Sequence, residues 1–237
     1  DMDIAVERIQ RAIDSRELTA VYGDYDVDGV TATVLLYSYL REKGADVIYY
    51  IPERECEGYG LNRQSIDYLH QQGVKLIITV DNGISAIDEI DYAAEKGIDV
   101  VVTDHHQPPE KLPNALAVVN PKRLDCESQF KEYAGVGVAF KLVCALEGDT
   151  DTVIEKYGDL VALGTLGDVM LLKGENRTLV REGLKVLNNN LRPGINALRK
   201  LAGIENKYID SITTVFSLVP RLNAAGRMDT PDLAARL

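Results

Sequence analysis

Short β-branched runs alternate with helical patterns through the first two-thirds of the chain, and this alternation constrains the fold more than any other feature. Val21–Gly23, Val47–Ile51, Leu76–Val80, Val100–Thr103 and Leu116–Val119 read as strands. Between several of them, Val30–Lys43, Gln64–Gln72 and Ala86–Lys96 carry apolar residues at three- and four-residue spacing, the mark of crossover helices. Repeated β–α units predict an α/β fold with a doubly wound, mostly parallel sheet. A looser stretch follows from Pro108 to Tyr133, and from Gly135 onward the pattern is purely helical, punctuated by Gly174 and Pro193-Gly194. We therefore expect an α/β core over residues 1–174 and a C-terminal helical extension over 175–237. No internal repeat or low-complexity segment interrupts this order.

Three of the predicted strands end in acidic residues or histidines. TAVYG runs into Asp24-Tyr25-Asp26-Val27-Asp28-Gly29, KLIITV into Asp81-Asn82-Gly83, and IDVVVT into Asp104-His105-His106. The carboxyl ends of parallel strands share one edge, where ligands of open α/β sheets bind, so the three clusters are expected to converge. Alternate residues of an extended segment project to the same side, which lets Asp24, Asp26 and Asp28 present a row of carboxylates before Gly29 turns the chain into a helix. A lone Asp after a strand is usually a turn or cap residue, and adjacent histidines in a loop are more often surface residues than ligands. Three acidic strand ends on one edge are a different matter, because packed carboxylates repel. Protonation relieves part of that repulsion; one or two divalent cations relieve more of it. Carboxylate oxygens with imidazole and no thiolate favour Mn over structural zinc, with Mg possible and zinc and cobalt open. His70, on the polar side of a predicted helix, reads as a surface residue.

Composition narrows the rest. Against 37 Asp and Glu stand 26 Lys and Arg, a net charge of −11 that argues against gripping a polyanion by bulk positive charge. The charge is uneven: residues 1–170 carry −16 and residues 171–237 carry +5. Such asymmetry is a hint of a polyanion partner, and equally of an uneven solvated surface. Three cysteines, odd in number and without a CxxC pair, indicate neither a disulfide framework nor a zinc knuckle and fit a reducing cytoplasm. No apolar run approaches a membrane span, and the amphipathic N-terminus lacks a cleavable apolar region. The chain starts at Asp1 and stops at Leu237 within a helical pattern, from which we expect a piece of something longer.

At these residues a resemblance emerges. GDYDVDGVTA (23–32), VDNG (80–83), TDHH (103–106) and LGTLGDVMLL (163–172) resemble, in order and spacing, the four motifs of the DHH phosphoesterase superfamily. EGYGLN (57–62), GVGVAFKL (135–142), ENRTLVREGLKVL (175–187) and PRLNAAGRM (220–228) are similar to segments of its RecJ branch, single-strand-specific 5′→3′ DNA exonucleases. Four ordered motifs are specific where any one alone is weak. The resemblance implies that Asp26, Asp28, Asp81, His105 and Asp168 hold two metal ions, with Asp81 as the bridge. Related pyrophosphatases carry a His where this chain has Tyr22, and Asp24 is the candidate to serve the same metal. His106 resembles the residue that faces the substrate phosphate, and Asp104 would orient the histidines. Asp168 lies in a segment that reads as helical, and only the resemblance marks it. Gly167 departs from the usual Ala of relatives, which alters little.

The implied activity is two-metal hydrolysis of single-stranded DNA releasing 5′-mononucleotides in repair and recombination, with a single-strand-binding protein as a possible partner. Arg221, Asn223 and Arg227 in the basic end would suit phosphate oxygens of an incoming strand, or serve a loop between helices. Tyr59 would stack a base or simply pack. Two alternatives compete: a relative acting on oligoribonucleotides, cyclic dinucleotides or pyrophosphate, and a non-catalytic Cdc45-like replication scaffold. The second, DHH-associated domain of the family is missing, so the chain is expected to bind metal but to cleave weakly or not at all by itself.

Overall fold

The computed structural model describes residues 1–53, 58, 60–189, 192–228 and 232–237. Helix α1 (Met2–Ser15) precedes strand β1 (Thr19–Tyr22), followed by α2 (Val27–Glu42), β2 (Val47–Tyr50), α3 (Arg63–Gln71), β3 (Leu76–Val80), α4 (Ile87–Glu95), β4 (Asp99–Thr103) and β5 (Ala117–Val119). All strand pairs are parallel, in the order β2-β1-β3-β4-β5. The doubly wound α/β reading thus holds, and every predicted strand falls within two residues of an observed one.

Strands β1 and β3 are buried on both faces, which is why they read as continuous apolar runs. Their alternate residues feed two layers. Val21, Leu76, Ile78 and Val101 pack with α1, α2 and α5 (Gly135–Glu147), whereas Ala20, Tyr22, Ile77 and Val100 pack with Ile66 and Leu69 of α3 and Ile90 and Ala93 of α4. The strand order reverses between β1 and β3. In a sheet of order 2-1-3-4-5 that switch point opens a crevice at the carboxyl ends, and the Asp24–Asp28 and Asp81 segments leave the sheet on its two sides.

The helical part comprises α6 (Thr150–Gly167), α7 (Gly174–Asn189), α8 (Pro193–Leu201), a single turn α9 (Ser211–Thr213), a π-helical turn over Thr214–Leu218, α10 (Val219–Met228) and α11 (Asp232–Arg236). These helices fold back on the core. Leu163, Leu187, Ile195, Leu198, Leu218 and Leu222 form one apolar cluster with Val27 and Val30 at the start of α2. A buried ion pair ties the same parts together: Arg192, at the start of α8, donates from Nε to Asp159 of α6 at 2.7 Å and from Nη2 to the Lys156 carbonyl at 2.9 Å. Among the described residues no helix is long and apolar enough to cross a membrane.

Removing one partner of a buried pair strands the other in a medium that does not solvate it. Arg192→Met is expected to lower the unfolding free energy by about 1–3 kcal/mol, with Asp159→Leu/Arg192→Met recovering much of the loss. Urea denaturation of the three chains decides this, and an unchanged midpoint for Arg192→Met would show that the pair does not hold α8 to α6.

Candidate metal centre

The ladder of the sheet carries the candidate residues into place. Asp81 N–H donates to the Thr103 carbonyl and Asp104 N–H to the Val119 carbonyl, each at 3.1 Å, so the hydrogen bonding of β3 with β4 and of β4 with β5 continues one residue past the strand ends. Beyond β3, Asp81 adopts a left-handed backbone (φ 63°), rare for a non-glycine residue and concentrated at functional sites. Buried Asn82 supports this turn, donating from Nδ2 to the Val80 carbonyl at 2.9 Å and the Tyr22 carbonyl at 3.3 Å. The turn also needs room. A Cβ on Gly135, first residue of α5, would overlap the Asp81 side chain.

The first cluster opens α2. Asp26 is its N-cap, with Oδ1 accepting from Gly29 N–H at 2.9 Å, so the ordinary capping role and a place in the acidic cluster coexist in one side chain. Asp28 points the other way, into the N-terminus of α5, where Oδ2 accepts from Gly135 N–H at 2.6 Å and Oδ1 from Val136 N–H at 2.8 Å. Two amides at a helix N-terminus can hold a buried carboxylate. Asp168 arrives from a different direction as the C-cap of α6, and Val169 after it is also left-handed (φ 56°).

His105 stands among these groups. Its Nε2 lies 3.1 Å from Asp81 Oδ1, 3.7 Å from Asp168 Oδ2 and 3.9 Å from Asp28 Oδ2. Ligand atoms fall into sets spaced as a cation requires: Asp24, Asp26 and Asp81; Asp28, His105 and Asp168; and Asp81, His105 and His106. The first two sets share no residue, and Asp81 of the first is the close neighbour of His105 in the second. The donors are carboxylate oxygens and imidazole, a set that suits Mn or Mg. Buried Asp24 Oδ1 has no hydrogen-bond partner, which fits an oxygen aimed at a cation.

Electrostatics agree with that fit. Burial, then the charge of Asp26, pushes Asp24 up to about 7, and the same two causes push Asp168 up to about 6. Asp28 and Asp81 are also raised, by burial and by neighbouring carboxylates; Asp168 acts most on Asp28, and Asp28 on Asp81. His105 is pushed down to about 4 by burial and by His106, which leaves it neutral and able to act as a ligand at neutral pH.

His106 lies outside the buried cluster, about half exposed, and is held by Asp104. Its Nδ1 sits 2.7 Å from Asp104 Oδ1, an oxygen that also accepts from the backbone N–H of His105 and of His106, while Oδ2 accepts from Ile84 N–H at 2.9 Å. Burial alone would raise Asp104, but these bonds and the charge of His106 outweigh it and hold the carboxyl below its ordinary value. The hydrogen bond to Asp104 in turn raises His106, with burial opposing.

Other expected residues are placed differently. Tyr22 turns its ring away from the acidic cluster into the layer with α3, stacked on Tyr50 at 5.3 Å, and its hydroxyl donates to the Gly60 carbonyl. PRLNAAGRM is helical rather than a loop. Asn223 Oδ1 accepts from Val27 N–H at 3.0 Å, and Arg221, two residues away on a different side of α10, is exposed and donates to the Ser217 carbonyl. Tyr59 and the side chain of Arg227 lie outside the described residues. Sequence reasoning missed the amides of Gly135 and Val136, although GVGVAFKL marked the segment. It also missed buried Asn120 after β5, which donates to the His106 carbonyl at 2.9 Å and accepts from Lys122 N–H at 2.8 Å, fixing the histidine loop.

Comparison with known proteins matches this geometry. A profile described as "DHH family, N-terminal domain" matches residues 19–165. The chain belongs to the DHH family. The single-stranded-DNA-specific exonuclease RecJ of Bacillus subtilis is 44% identical over 236 residues, 100% of this chain and 30% of that protein. RecJ of Escherichia coli is 39% identical over 247 residues, 98% of this chain and 43% of that protein. A crystal structure of exonuclease RecJ bound to manganese superposes with a TM-score of 0.89 at 36% identity, covering 99% of this chain and 60% of that one. RecJ of Thermus thermophilus in complex with Mn2+ gives 0.83 at 33% identity, covering 99% of this chain and 34% of that one. The chain therefore spans less than half the length of these curated relatives.

A prediction follows from the cluster's charge. Asp24, Asp28, Asp81, Asp168 and His106 all bind protons more readily folded than unfolded, so in metal-free protein stability rises as pH falls. From pH 8 to about 6.5, His105 stays neutral in both states and does not oppose them. The thermal midpoint of the metal-free chain is expected to rise over that interval. Saturating Mn2+ is expected to reverse the slope, because the ligands must shed protons to bind. A metal-free midpoint that falls on acidification over this window contradicts the electrostatics described here.

Proposed function

We propose that this chain forms the metal-binding hydrolytic part of a RecJ-like exonuclease that digests single-stranded DNA 5′→3′ and releases 5′-mononucleotides. The observation that carries this reading is the placement of His105 Nε2 among carboxylates from three separate elements, with His106 on the open side. The resemblance of nearly the whole chain to RecJ proteins supports the choice of substrate.

Asp26, Asp28, Asp81, His105 and Asp168, with Asp24, would hold two divalent cations, Mn preferred and Mg possible, and Asp81 would be shared between them. When bound, the cations supply the positive charge that makes water a nucleophile near neutral pH and offsets charge on the phosphoryl oxygens. The chain's own groups do the rest. Buried His105 offers a neutral nitrogen without a proton to remove. Asp104 holds the Nδ1 proton of His106, which leaves Nε2 to hydrogen-bond a phosphoryl oxygen or to give a proton to the leaving group. Arg227 and Arg221 of α10, the Asn223 amide and Tyr59 are the proposed contacts to the strand. This chemistry would take place in the cytoplasm, on strands that a single-strand-binding protein also covers. Without the rest of the protein the chain is proposed to bind metal but to cleave weakly.

The test is release of mononucleotides from 5′-labelled single strands and matched duplexes by the full-length protein with Mn2+. Asp81→Asn is expected to lower turnover on single strands by at least about 10³-fold, a loss of roughly 4 kcal/mol of transition-state stabilisation. Full turnover by that variant, or faster cleavage of cyclic dinucleotides than of single-stranded DNA, sinks the reading.

A further inference from the structure

The N-terminus of α2 carries two of the proposed ligands, and its first amides have no partner within the helix. The Asp26 side chain satisfies Gly29 N–H. Val27 N–H, in the peptide that joins Asp26 to the next residue, is satisfied from 196 positions away by Asn223 Oδ1 at 3.0 Å. Three residues further along α10, Gly226 lies against the same loop so closely that a Cβ there would overlap the Tyr25 carbonyl oxygen. Helix α10 thus touches the acidic loop on both sides of Asp26, at the Tyr25 carbonyl and at the Val27 amide. Leu222, between these contacts and Val219, packs in the apolar cluster with Val27 and Val30, so the same helix also holds the first turn of α2. The π-helical turn Thr214–Leu218 immediately precedes α10; one extra residue in a helical turn rotates everything after it, here bringing Asn223 and Gly226 onto the loop side.

We propose that α10 is a clamp on the acidic loop, with Asn223 as a positioning residue that sets the spacing of Asp26 and Asp28 through the Val27 amide. The proposal rests on the metal reading of that cluster. It assigns the two ends of the Asn223 carboxamide different tasks. The oxygen is committed to the protein, and the NH2 group is what remains for a strand. Docking of α10 and metal binding are then coupled, because a shift of the helix changes the distance between two ligands.

Mn2+ affinity measured without DNA, by paramagnetic resonance of the free ion, tests the clamp in the full-length protein. Asn223→Ala removes the acceptor and is expected to weaken Mn2+ binding about 10–100-fold, the usual effect of losing a group that orients metal ligands. Asn223→Asp keeps an acceptor oxygen and is expected to stay within about threefold of wild type while losing affinity for single strands. Leu198→Ala loosens the same apolar cluster without touching the loop and is expected to leave Mn2+ affinity unchanged, with circular dichroism confirming that all variants are folded. Equal losses in Leu198→Ala and Asn223→Ala overturn the clamp in favour of general destabilisation. Unchanged Mn2+ affinity in Asn223→Ala, with only the KM for single strands raised, overturns it in favour of a pure substrate contact. Absence of Mn2+ binding by wild type overturns the metal reading and the clamp with it.

Discussion

Repulsion among buried carboxylates is the constraint on which the rest of the structure depends. Asp24, Asp28 and Asp81 are almost wholly removed from water, and Asp168 stands against them. Taking one carboxylate out of water is costly; taking several into one crevice is costlier, because each raises the proton affinity of the next. The fold meets this with fixed dipoles before any cation is considered. Two amides of α5 hold Asp28, Gly29 N–H holds Asp26, and the turn after β3 is braced by Asn82. Parallel strands make this possible, since they bring helix N-termini and strand carboxyl ends to one edge.

Net charge is a poor guide to such a site. A chain of −11 looks unsuited to a polyanion, yet the acidic excess lies in the first 170 residues, where part of it is concentrated in one crevice. What a phosphate strand would meet is the local field, and a site that holds divalent cations has a field opposite in sign to its formal side-chain charge. The surface average and the site answer different questions.

Much of this was legible in the chain because its signals are local. Strand ends followed by Asp or His are visible by eye, and a parallel sheet turns that sequence pattern into spatial convergence. Asp168 was not visible this way: it caps a helix, where a carboxylate has no distinguishing period, and only the ordered motif marked it. Asn223 was marked as a contact for phosphate, but its oxygen serves Val27, and no periodicity reports a bond between residues 196 positions apart. Gly135 read as the start of a helix; its need to be glycine depends on Asp81, which reaches it from another element. Elements follow from neighbours in sequence, whereas the groups that brace a site follow from neighbours in space.

The pair His105-His106 shows how far two adjacent, chemically identical side chains can be separated by their surroundings. Their rings lie 4.4 Å apart, yet burial drives one towards the neutral form and Asp104 holds the other towards the charged form. Each assists the other, since positive charge on His106 is among the causes that keep His105 neutral. Two groups of one kind with proton affinities pushed apart are what a site needs if one is to bind a cation and the other to handle a proton. Asp104 is therefore central without touching the buried cluster: replacing it would free the His106 ring and return its proton affinity towards that of an ordinary imidazole. The charge felt by His105 would change with it, so both histidines depend on one carboxylate.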